Sequence, residues 1–263
     1  MAELARLEHR GPVAEVVLNR PDKRNAINWE LMQALDSCLD RAARLPEARA
    51  VLIRGEGPCF SAGIDIAGLM TAAQQFGEGW RDNLMPLTQA YQAVVNKAER
   101  HVLPTIALLH GHTLGLGLEL ALACDMRICA EGTRMALPET RLGLIPDVGG
   151  TTRLTRLIGP ARAKEVILTA REVTTDEAAA WGMVNHVVPG DELLQRGEAL
   201  VEQISACAPL AVSLGKRVID GLADVDRGLT LEAIAQTNLI KTEDMMAGAM
   251  AFMSKTKPTW KGK

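Results

Sequence analysis

Glu119 is an acidic residue in a stretch that could bury its carboxylate. It lies in the apolar run LGLELALAC, which follows the two glycines of GLGLE. An unpaired carboxylate buried among such residues would be strongly unfavourable or would hold a proton at a raised pKa. Carboxylates of this kind suit proton transfer. The alternative is that Glu119 points outwards from an amphipathic helix, although its neighbours offer little polar surface for it to join.

Two further acids follow within thirty residues, in a loop-like stretch that reads PETRLGLIPDVGG. Glu139 could transfer protons, or it could simply cap the short helix predicted after Pro138, since carboxylates favour helix N-termini. Asp147 could do the same chemistry, or it could be the N-cap of a helix that begins near Gly150.

Two glycine-containing loops could supply hydrogen-bond donors beside these acids. One covers residues 60–65, FSAGID, and the other is GLGLE at 115–119. Small residues at the end of a strand let the chain turn sharply and can leave N–H groups facing a cavity, where two of them would form an anion hole. The alternative for each loop is a tight turn without any binding role.

The elements that must position these loops alternate between strands and helices, which indicates an α/β fold. Strands dominate early and helices late. We therefore expect a core at residues 1–195 that holds the site and a helical region at 196–263. The predicted strands are Val13–Leu18, Ala50–Arg54, Thr105–Leu109, Met126–Ala130 and Arg134–Leu137. The predicted helices begin at the Asn28 N-cap and at Trp80, and then cover about 150–158, 160–170, 175–181, 191–206, 209–222 and 228–254.

Composition narrows the class of function. The 263 residues are 48% hydrophobic, enough for a large globular enzyme, and the formal net charge of -3 gives no reason to expect nucleic acid or an anionic membrane as partner. No run approaches the roughly 18 apolar residues that a membrane span needs, and the charged N-terminus lacks the apolar core of a signal peptide. We expect a cytoplasmic protein that acts on a small molecule.

Other kinds of chemistry find little support. The five cysteines form no Cys-x-x-Cys pair, and His110 and His112 lack further ligands nearby, so no metal site is expected. A Gly-x-Ser-x-Gly nucleophile motif is absent from the sequence. Leu120 stands where a dinucleotide fingerprint needs its third glycine, so a Rossmann site is not indicated.

Five motifs in order make the chain resemble the crotonase superfamily, the enoyl-CoA hydratase/isomerase family, from about Val13 to the C-terminus. They are NRPDKRNAIN, FSAGIDIAGL, HGHTLGLGLELALACD, MALPETRLGLIPDVGGTTRLTRLIG and AFMSKTKP. The resemblance implies an α/β fold, a crotonase-like spiral of ββα units with a helical C-terminal trimerisation region. It also implies a homotrimer or dimer of trimers.

The resemblance further implies roles for particular residues. The two oxyanion-hole N–H groups would belong to Ile64 and Leu116, and the position of Leu116 usually holds glycine in hydratases of the family. The acyl-CoA substrate would be contacted by residues in the first loops and near the C-terminus: Arg24, Ala26, Ala62, Ile64, Asp65, Phe252 and Lys255.

The same resemblance implies that the chain would be an enoyl-CoA hydratase, which would need no metal or redox cofactor. Glu119 and Glu139 would hold a water, with Glu119 taking its proton as it attacks C3 and Glu139 delivering a proton to C2. Asp147 keeps an alternative open, because dienoyl-CoA isomerases of the superfamily carry a third acid in a similar setting. A noncatalytic acyl-CoA binder is the other alternative, and the unusual Leu116 is the feature that favours it.

Overall fold

A computed structural model describes residues 3–70, 77, 84–221, 238–239 and 241–263. The strands are β1 (Ala5–Arg10), β2 (Val13–Leu18), β3 (Ala50–Gly55), β4 (Thr105–Leu109), β5 (His112–Leu114), β6 (Met126–Ala130), β7 (Arg134–Ala136) and β8 (His186–Val188). The helices are α1 (Trp29–Ala42), α2 (Ile66–Met70), α3 (Met85–Glu99), α4 (Leu116–Ala123), α5 (Gly150–Ile158), α6 (Pro160–Thr169), α7 (Thr175–Ala180), α8 (Leu193–Ser205), α9 (Pro209–Asp220) and α10 (Glu243–Ser254).

A six-stranded sheet forms the centre of the fold, in the order β1-β2-β3-β4-β6-β8. The first two strands pair antiparallel and the other neighbours pair parallel. Every residue of β2 and of β4 is buried, as expected for strands covered on both faces. The five predicted strands are confirmed, whereas β1, β5 and β8 were not predicted, because they are short or carry charged residues.

A second, smaller sheet brings the chain to the site. Strand β5 follows β4 directly, and β7 follows β6. At both points the chain passes from the large sheet to the small one, in which β5 and β7 pair parallel. Gly111 makes the first of these passages with a φ of +58°, and a Cβ there would lie 2.2 Å from the Pro58 carbonyl oxygen. Only glycine fits this corner. Helix α4 begins directly beyond β5.

Helices cover both faces of the large sheet. The larger apolar core includes Leu31 and Leu35 of α1, Val95 of α3 and Leu118 of α4. On the opposite face α8 packs its apolar side chains, including Val201, against strands β3, β4 and β6. The predicted boundary between residues 195 and 196 therefore falls inside α8, and the division into two regions stays a prediction.

The predicted helices are largely confirmed. Asn28 is the N-cap of α1, and its side chain accepts a hydrogen bond from the Leu31 N–H. Helix α3 carries Pro86 in its first turn, and residues 80–83 of the predicted helix lie outside the described residues. Residues 228–237 and 240 of the last predicted helix also lie outside the described residues. No helix in the described ranges is both long and apolar enough to cross a membrane.

Candidate active site

The GLGLE segment is the turn from β5 into α4. Gly115 has a φ of 50° and a ψ of -128°, a conformation that side chains disfavour. A Cβ at Gly115 would also lie 2.9 Å from Oε1 of Glu139, so glycine is needed here for conformation and for space. The Leu116 N–H belongs to the first turn of α4, where N–H groups have no acceptor within the helix. This N–H makes no backbone hydrogen bond among the described residues, so it can face a ligand.

The second loop meets the first at Gly63. Its φ is +93°, and a Cβ there would lie 2.8 Å from the Leu114 carbonyl oxygen, so the two loops touch through backbone. Ile27 donates its N–H to the Gly63 carbonyl at 2.7 Å and accepts the Asp65 N–H at 2.9 Å. In such a parallel pairing, the N–H of Ile64 points away from Ile27. The structure thus brings the loops of Ile64 and Leu116 together.

Glu119 lies in the interior, with a relative exposure of 2%. The alternative in which it faces solvent is therefore wrong. Its Oε1 accepts hydrogen bonds from the N–H groups of Val148, at 2.9 Å, and Gly150, at 2.8 Å. Burial raises the pKa of Glu119 to about 8, against the effect of these two donors, and the nearby charges of Glu139 and Asp147 act in the same direction as burial.

Glu139 begins a short 3₁₀ helix, Glu139–Leu142, and its carboxylate accepts a hydrogen bond from its own backbone N–H. Its Oε2 is buried and has no hydrogen-bond partner among the described residues. Burial raises the pKa of Glu139 to about 6, and the charge of Asp147 adds to the increase. A carboxylate with one oxygen left unbonded in this way can accept a bond from a substrate or a water.

Asp147 lies beside the two glutamates but is exposed, and α3 holds it in place. Oδ2 accepts a 2.7 Å hydrogen bond from the Thr88 hydroxyl, and the Gln92 amide donates to its main-chain oxygen at 2.6 Å. The N-cap of α5 is Gly149, with no side-chain capping bond, so the alternative role of Asp147 as that cap is wrong. Sequence reasoning missed Thr88 and Gln92, although their spacing of one helical turn was visible in the predicted helix.

These groups line one cavity of about 260 Å³. Its polar residues include the three acids and Thr88, and the two glycine loops border it through Ile64 and Leu116. The remaining wall is apolar or aromatic and is formed by Leu84, Leu87, Tyr91, Leu144, Ile145 and Val148. Within the described part of the chain, no three His, Cys, Asp or Glu side chains are placed to bind a metal ion.

Comparison with known proteins decides the family. The family model described as Enoyl-CoA hydratase/isomerase matches residues 8–263. The chain belongs to the enoyl-CoA hydratase/isomerase family. A crystal structure of an enoyl-CoA hydratase from Bacillus anthracis superposes with a TM-score of 0.91 at 34% identity, covering 99% of this chain and 100% of that one. The predicted α/β crotonase fold is thereby confirmed.

Relatives of this family member carry different activities in their names. An enoyl-CoA isomerase/hydratase of Mycosarcoma maydis is 36% identical, with 95% of this chain and 93% of the relative covered. A carnitinyl-CoA dehydratase of Salmonella arizonae is 35% identical over the full length of both chains. The comparisons thus support an enzyme of the hydratase/isomerase family and leave its reaction to be argued from the site.

The residues predicted to contact CoA are spread over two parts of this family member. Arg24 is exposed, and its carbonyl accepts the Ala62 N–H at 2.9 Å, which places Ala62 beside Arg24 and Ala26. Lys255 is exposed directly after α10. The side chain of Phe252, within α10, lies outside what the structure describes.

Asp65 is already engaged within the protein. Its carboxylate accepts from the Arg20 guanidinium at 3.0 Å and from the Gly68 N–H at 3.2 Å. Partial burial opposes ionisation, but these two donors lower the pKa of Asp65 below its usual value. The Asp65 side chain therefore helps to hold the loop of Ile64 in place through its bonds to Arg20 and Gly68.

The buried carboxyl of Glu119 should make stability depend on pH. A raised folded-state pKa favours the folded state fully below pH 4.5, and this contribution is lost as the pH rises through about 8. Glutamine carries no charge and keeps an oxygen for Val148 and Gly150. We expect Glu119→Gln to melt roughly 2–8 °C higher than the parent protein near pH 9, which is about 1–2 kcal/mol for a chain of this size.

Differential scanning calorimetry between about pH 5 and pH 9 measures the effect, and the difference should shrink towards the acid end. Exposed Glu202 provides the matched control, since Glu202→Gln removes the same charge from the surface of α8. A melting difference for Glu119→Gln that stays constant across this range would contradict the buried, proton-binding carboxyl.

Proposed function

We propose that this protein is an enoyl-CoA hydratase, which adds water in syn fashion across the C2=C3 bond of a trans-2-enoyl-CoA thioester. The observation that carries the proposal is that Glu119 and Glu139 line one cavity with the loops of Ile64 and Leu116. Two carboxyls with raised pKa values therefore stand next to the two proposed oxyanion donors. This combination is what conjugate addition of water to a thioester requires.

The N–H groups of Ile64 and Leu116 would bind the thioester oxygen. As water adds to C3, the C2=C3 electron pair moves towards the carbonyl and charge builds on that oxygen, giving an enolate. Because both donors are backbone groups held in place by the fold, they need no reorganisation to stabilise the enolate. Losing one such donor typically lowers the rate by about a hundred- to a thousandfold. The apolar wall of the cavity strengthens these interactions by excluding water.

The two glutamates would hold the attacking water and move its protons. One carboxylate removes a proton as the water oxygen bonds to C3, and the other carboxyl delivers a proton to C2, which returns the electron pair from the enolate. The higher pKa of Glu119 favours its protonated form at pH 7, whereas the assignment from resemblance makes Glu119 the base. We therefore propose the base and acid roles for the pair jointly. Only protons and water move, so the reaction needs no redox cofactor.

The CoA part of the substrate would leave the cavity past the loop of Arg24, Ala26 and Ala62. Their shared position at the loop of Ile64 supports this path. We keep Phe252 and Lys255 as proposed contacts for the nucleotide end. A homotrimer or dimer of trimers and a cytoplasmic location are likewise proposed from resemblance and composition.

A substrate panel tests the hydratase proposal directly. We expect the purified protein to consume crotonyl-CoA or longer trans-2-enoyl-CoAs, with loss of the conjugated thioester absorbance and formation of the 3-hydroxyacyl product. Glu119→Gln and Glu139→Gln should each lower kcat by about a hundred- to ten-thousandfold, because each removes one proton-transfer group. Glu202→Gln serves as the control. Binding of acyl-CoA by calorimetry without turnover at any chain length would instead identify a noncatalytic binder.

Double-bond isomerisation is the second candidate, and the placement of Asp147 favours it. Its carboxylate lines the same cavity as the two glutamates. The Thr88 hydroxyl holds Oδ2 and leaves the other oxygen, Oδ1, for a substrate proton. A third acid at the edge of the cavity could move a proton along a longer conjugated system.

Asp147→Asn separates the two candidates. Asparagine keeps an oxygen for the Thr88 hydroxyl but cannot accept a substrate proton at neutral pH. If Asp147 acts as an acid or base, conversion of a 3-enoyl- or dienoyl-CoA should fall by about a hundredfold or more, with hydration of crotonyl-CoA changed much less. The ratio of the two rates, measured by product analysis, is the readout. An unchanged isomerisation rate would remove the role.

Leu116 should limit which acyl groups enter. Its N–H comes from backbone, but its side chain is 3% exposed and lines the cavity beside the oxyanion position. Leu116→Ala keeps the donor and removes bulk next to C2. We expect the ratio of kcat/KM for a 2-methyl-branched enoyl-CoA to kcat/KM for the straight-chain substrate to rise roughly tenfold. One or two methylene groups in an apolar pocket usually change the discrimination between two substrates by about this factor.

The control for this variant is Leu118→Ala in the same helix. Leu118 is fully buried in the core, so its loss should lower stability without changing the preference between the two substrates. Equal selectivity in the parent protein and in Leu116→Ala would show that the Leu116 side chain merely borders the cavity.

A further inference from the structure

We infer that Ser61 is a positioning residue that sets the spacing and direction of the two oxyanion donors, Ile64 and Leu116. Ser61 touches no substrate position in the cavity, and neither composition nor motif spacing marks it as functional. The inference rests on the proposed function in that it assumes a thioester oxygen bound by these two donors. Its basis is that one buried side chain contacts both loops.

The main chain of Ser61 joins the first loop to the strand that leads into the second. Its N–H donates to the His112 carbonyl, and its carbonyl accepts the Leu114 N–H, each at 3.0 Å. Ser61 thereby pairs with Thr113 in β5, immediately before GLGLE. The pairing of Ser61 with Thr113 therefore fixes the position of one loop relative to the other.

The Ser61 hydroxyl then fixes the loop of Ile64. With the residue fully buried, Oγ donates to the Asn25 carbonyl at 2.8 Å and accepts the Gly63 N–H at 3.1 Å. The Gly63 N–H lies one peptide before the Ile64 N–H, and the Gly63 carbonyl, which shares a peptide with the Ile64 N–H, accepts from Ile27 at 2.7 Å. Ser61 and Ile27 therefore fix Gly63 on both sides, and the Gly63 backbone sets the direction of the Ile64 donor.

Asn25 is itself a rigid anchor for the Ser61 hydroxyl. It is buried in the left-handed conformation, with a φ of 52°. Its side-chain amide donates to the carbonyls of Glu56 and Cys59, each at 2.9 Å, and its Oδ1 accepts the Arg20 N–H at 2.8 Å. The hydroxyl therefore bonds to a carbonyl that cannot shift easily.

The Cβ and Oγ of Ser61 also contact the start of α4. A Cβ at Gly117 would lie 2.6 Å from Ser61 Cβ and 2.7 Å from its Oγ. This explains the second glycine of GLGLE, which has no positive φ to account for it. Gly117 directly follows Leu116, so contact with Ser61 sets how closely the helix start approaches the Ile64 loop.

A change in this contact should therefore alter catalysis more than binding. A misplacement of about 1 Å in a reacting geometry can cost on the order of a hundredfold in rate. The CoA portion and the acyl wall would be unaffected by it. A merely structural serine would lower stability and leave the polarisation of a bound thioester unchanged.

The test measures that polarisation with a chromophore. 4-(Dimethylamino)cinnamoyl-CoA is a conjugated thioester whose absorbance shifts to the red when donors polarise its carbonyl. We place Ser61→Ala in the Glu119→Gln background, which slows turnover. The red shift on binding should fall by about half or more, with Kd changed less than about threefold. In the otherwise unsubstituted protein, Ser61→Ala should lower kcat roughly ten- to a hundredfold at nearly constant KM.

Thr133→Val is the matched control, because it removes another buried hydroxyl, one that donates to Ala130 at 2.6 Å between β6 and β7. It should cost stability and keep both the red shift and kcat. Ser61→Cys is the second variant should Ser61→Ala fail to fold, and its weaker sulfur acceptor should give an intermediate red shift. A full red shift in either Ser61 variant would overturn the inference.

The same experiment separates this inference from the proposed reaction. A red shift that depends on Ser61, in a protein that hydrates no enoyl-CoA, would support the positioning role and overturn the hydratase. Binding of the chromophore to the Glu119→Gln parent with no red shift would overturn the oxyanion assignment and the role of Ser61 together.

Discussion

The site depends on one buried interaction, the carboxyl of Glu119 held by the N–H groups of Val148 and Gly150. A carboxyl in this interior costs free energy unless it is hydrogen-bonded or protonated. The bonds join α4 to the loop before α5, and they bring Asp147 to the cavity as part of the same loop. Gly150 must be glycine, since a Cβ there would lie 2.9 Å from Oε1 of Glu119.

Helix α4 can present that carboxyl because both of its ends are fixed. All eight residues of the helix are buried, so it has no polar face to orient it. At its start, Gly115 and Gly117 let Glu139 and Ser61 approach the backbone closely. At its end, the buried Arg127 guanidinium donates to the Ala121 and Cys124 carbonyls, which satisfies groups that a helix terminus leaves unpaired. Contacts within the protein therefore hold both ends of the helix that carries Glu119.

Burial links stability and chemistry at this site. The same desolvation that raises the pKa values of Glu119 and Glu139 keeps a proton available near pH 7, and it strengthens any hydrogen bond to a bound thioester oxygen. Helix α3 adds to this arrangement through Thr88 and Gln92, which hold Asp147 at the mouth of the cavity.

The sequence by itself determined the local elements and the chemical groups. Apolar patterning predicted five of the strands and most helices, the residue type of Asn28 predicted the cap of α1, and the apolar surroundings of Glu119 predicted its burial. The pairing of Glu119 with Glu139, and the roles of Ile64 and Leu116, came from resemblance to a family rather than from periodicity. The three-residue strands β5 and β8 were not predicted, and β7, of the same length, was predicted only as part of the longer run to Leu137.

Only the tertiary structure decided which groups meet. It showed that Gly149, and not Asp147, caps α5, that Asp65 pairs with Arg20, and that Ser61 contacts both glycine loops. Glu119 and Gly150 are 31 residues apart in the chain, yet their atoms lie 2.8 Å apart. The physical reason is range: periodicity reports on neighbours within a few residues, whereas these contacts arise when separate strands and helices fold together.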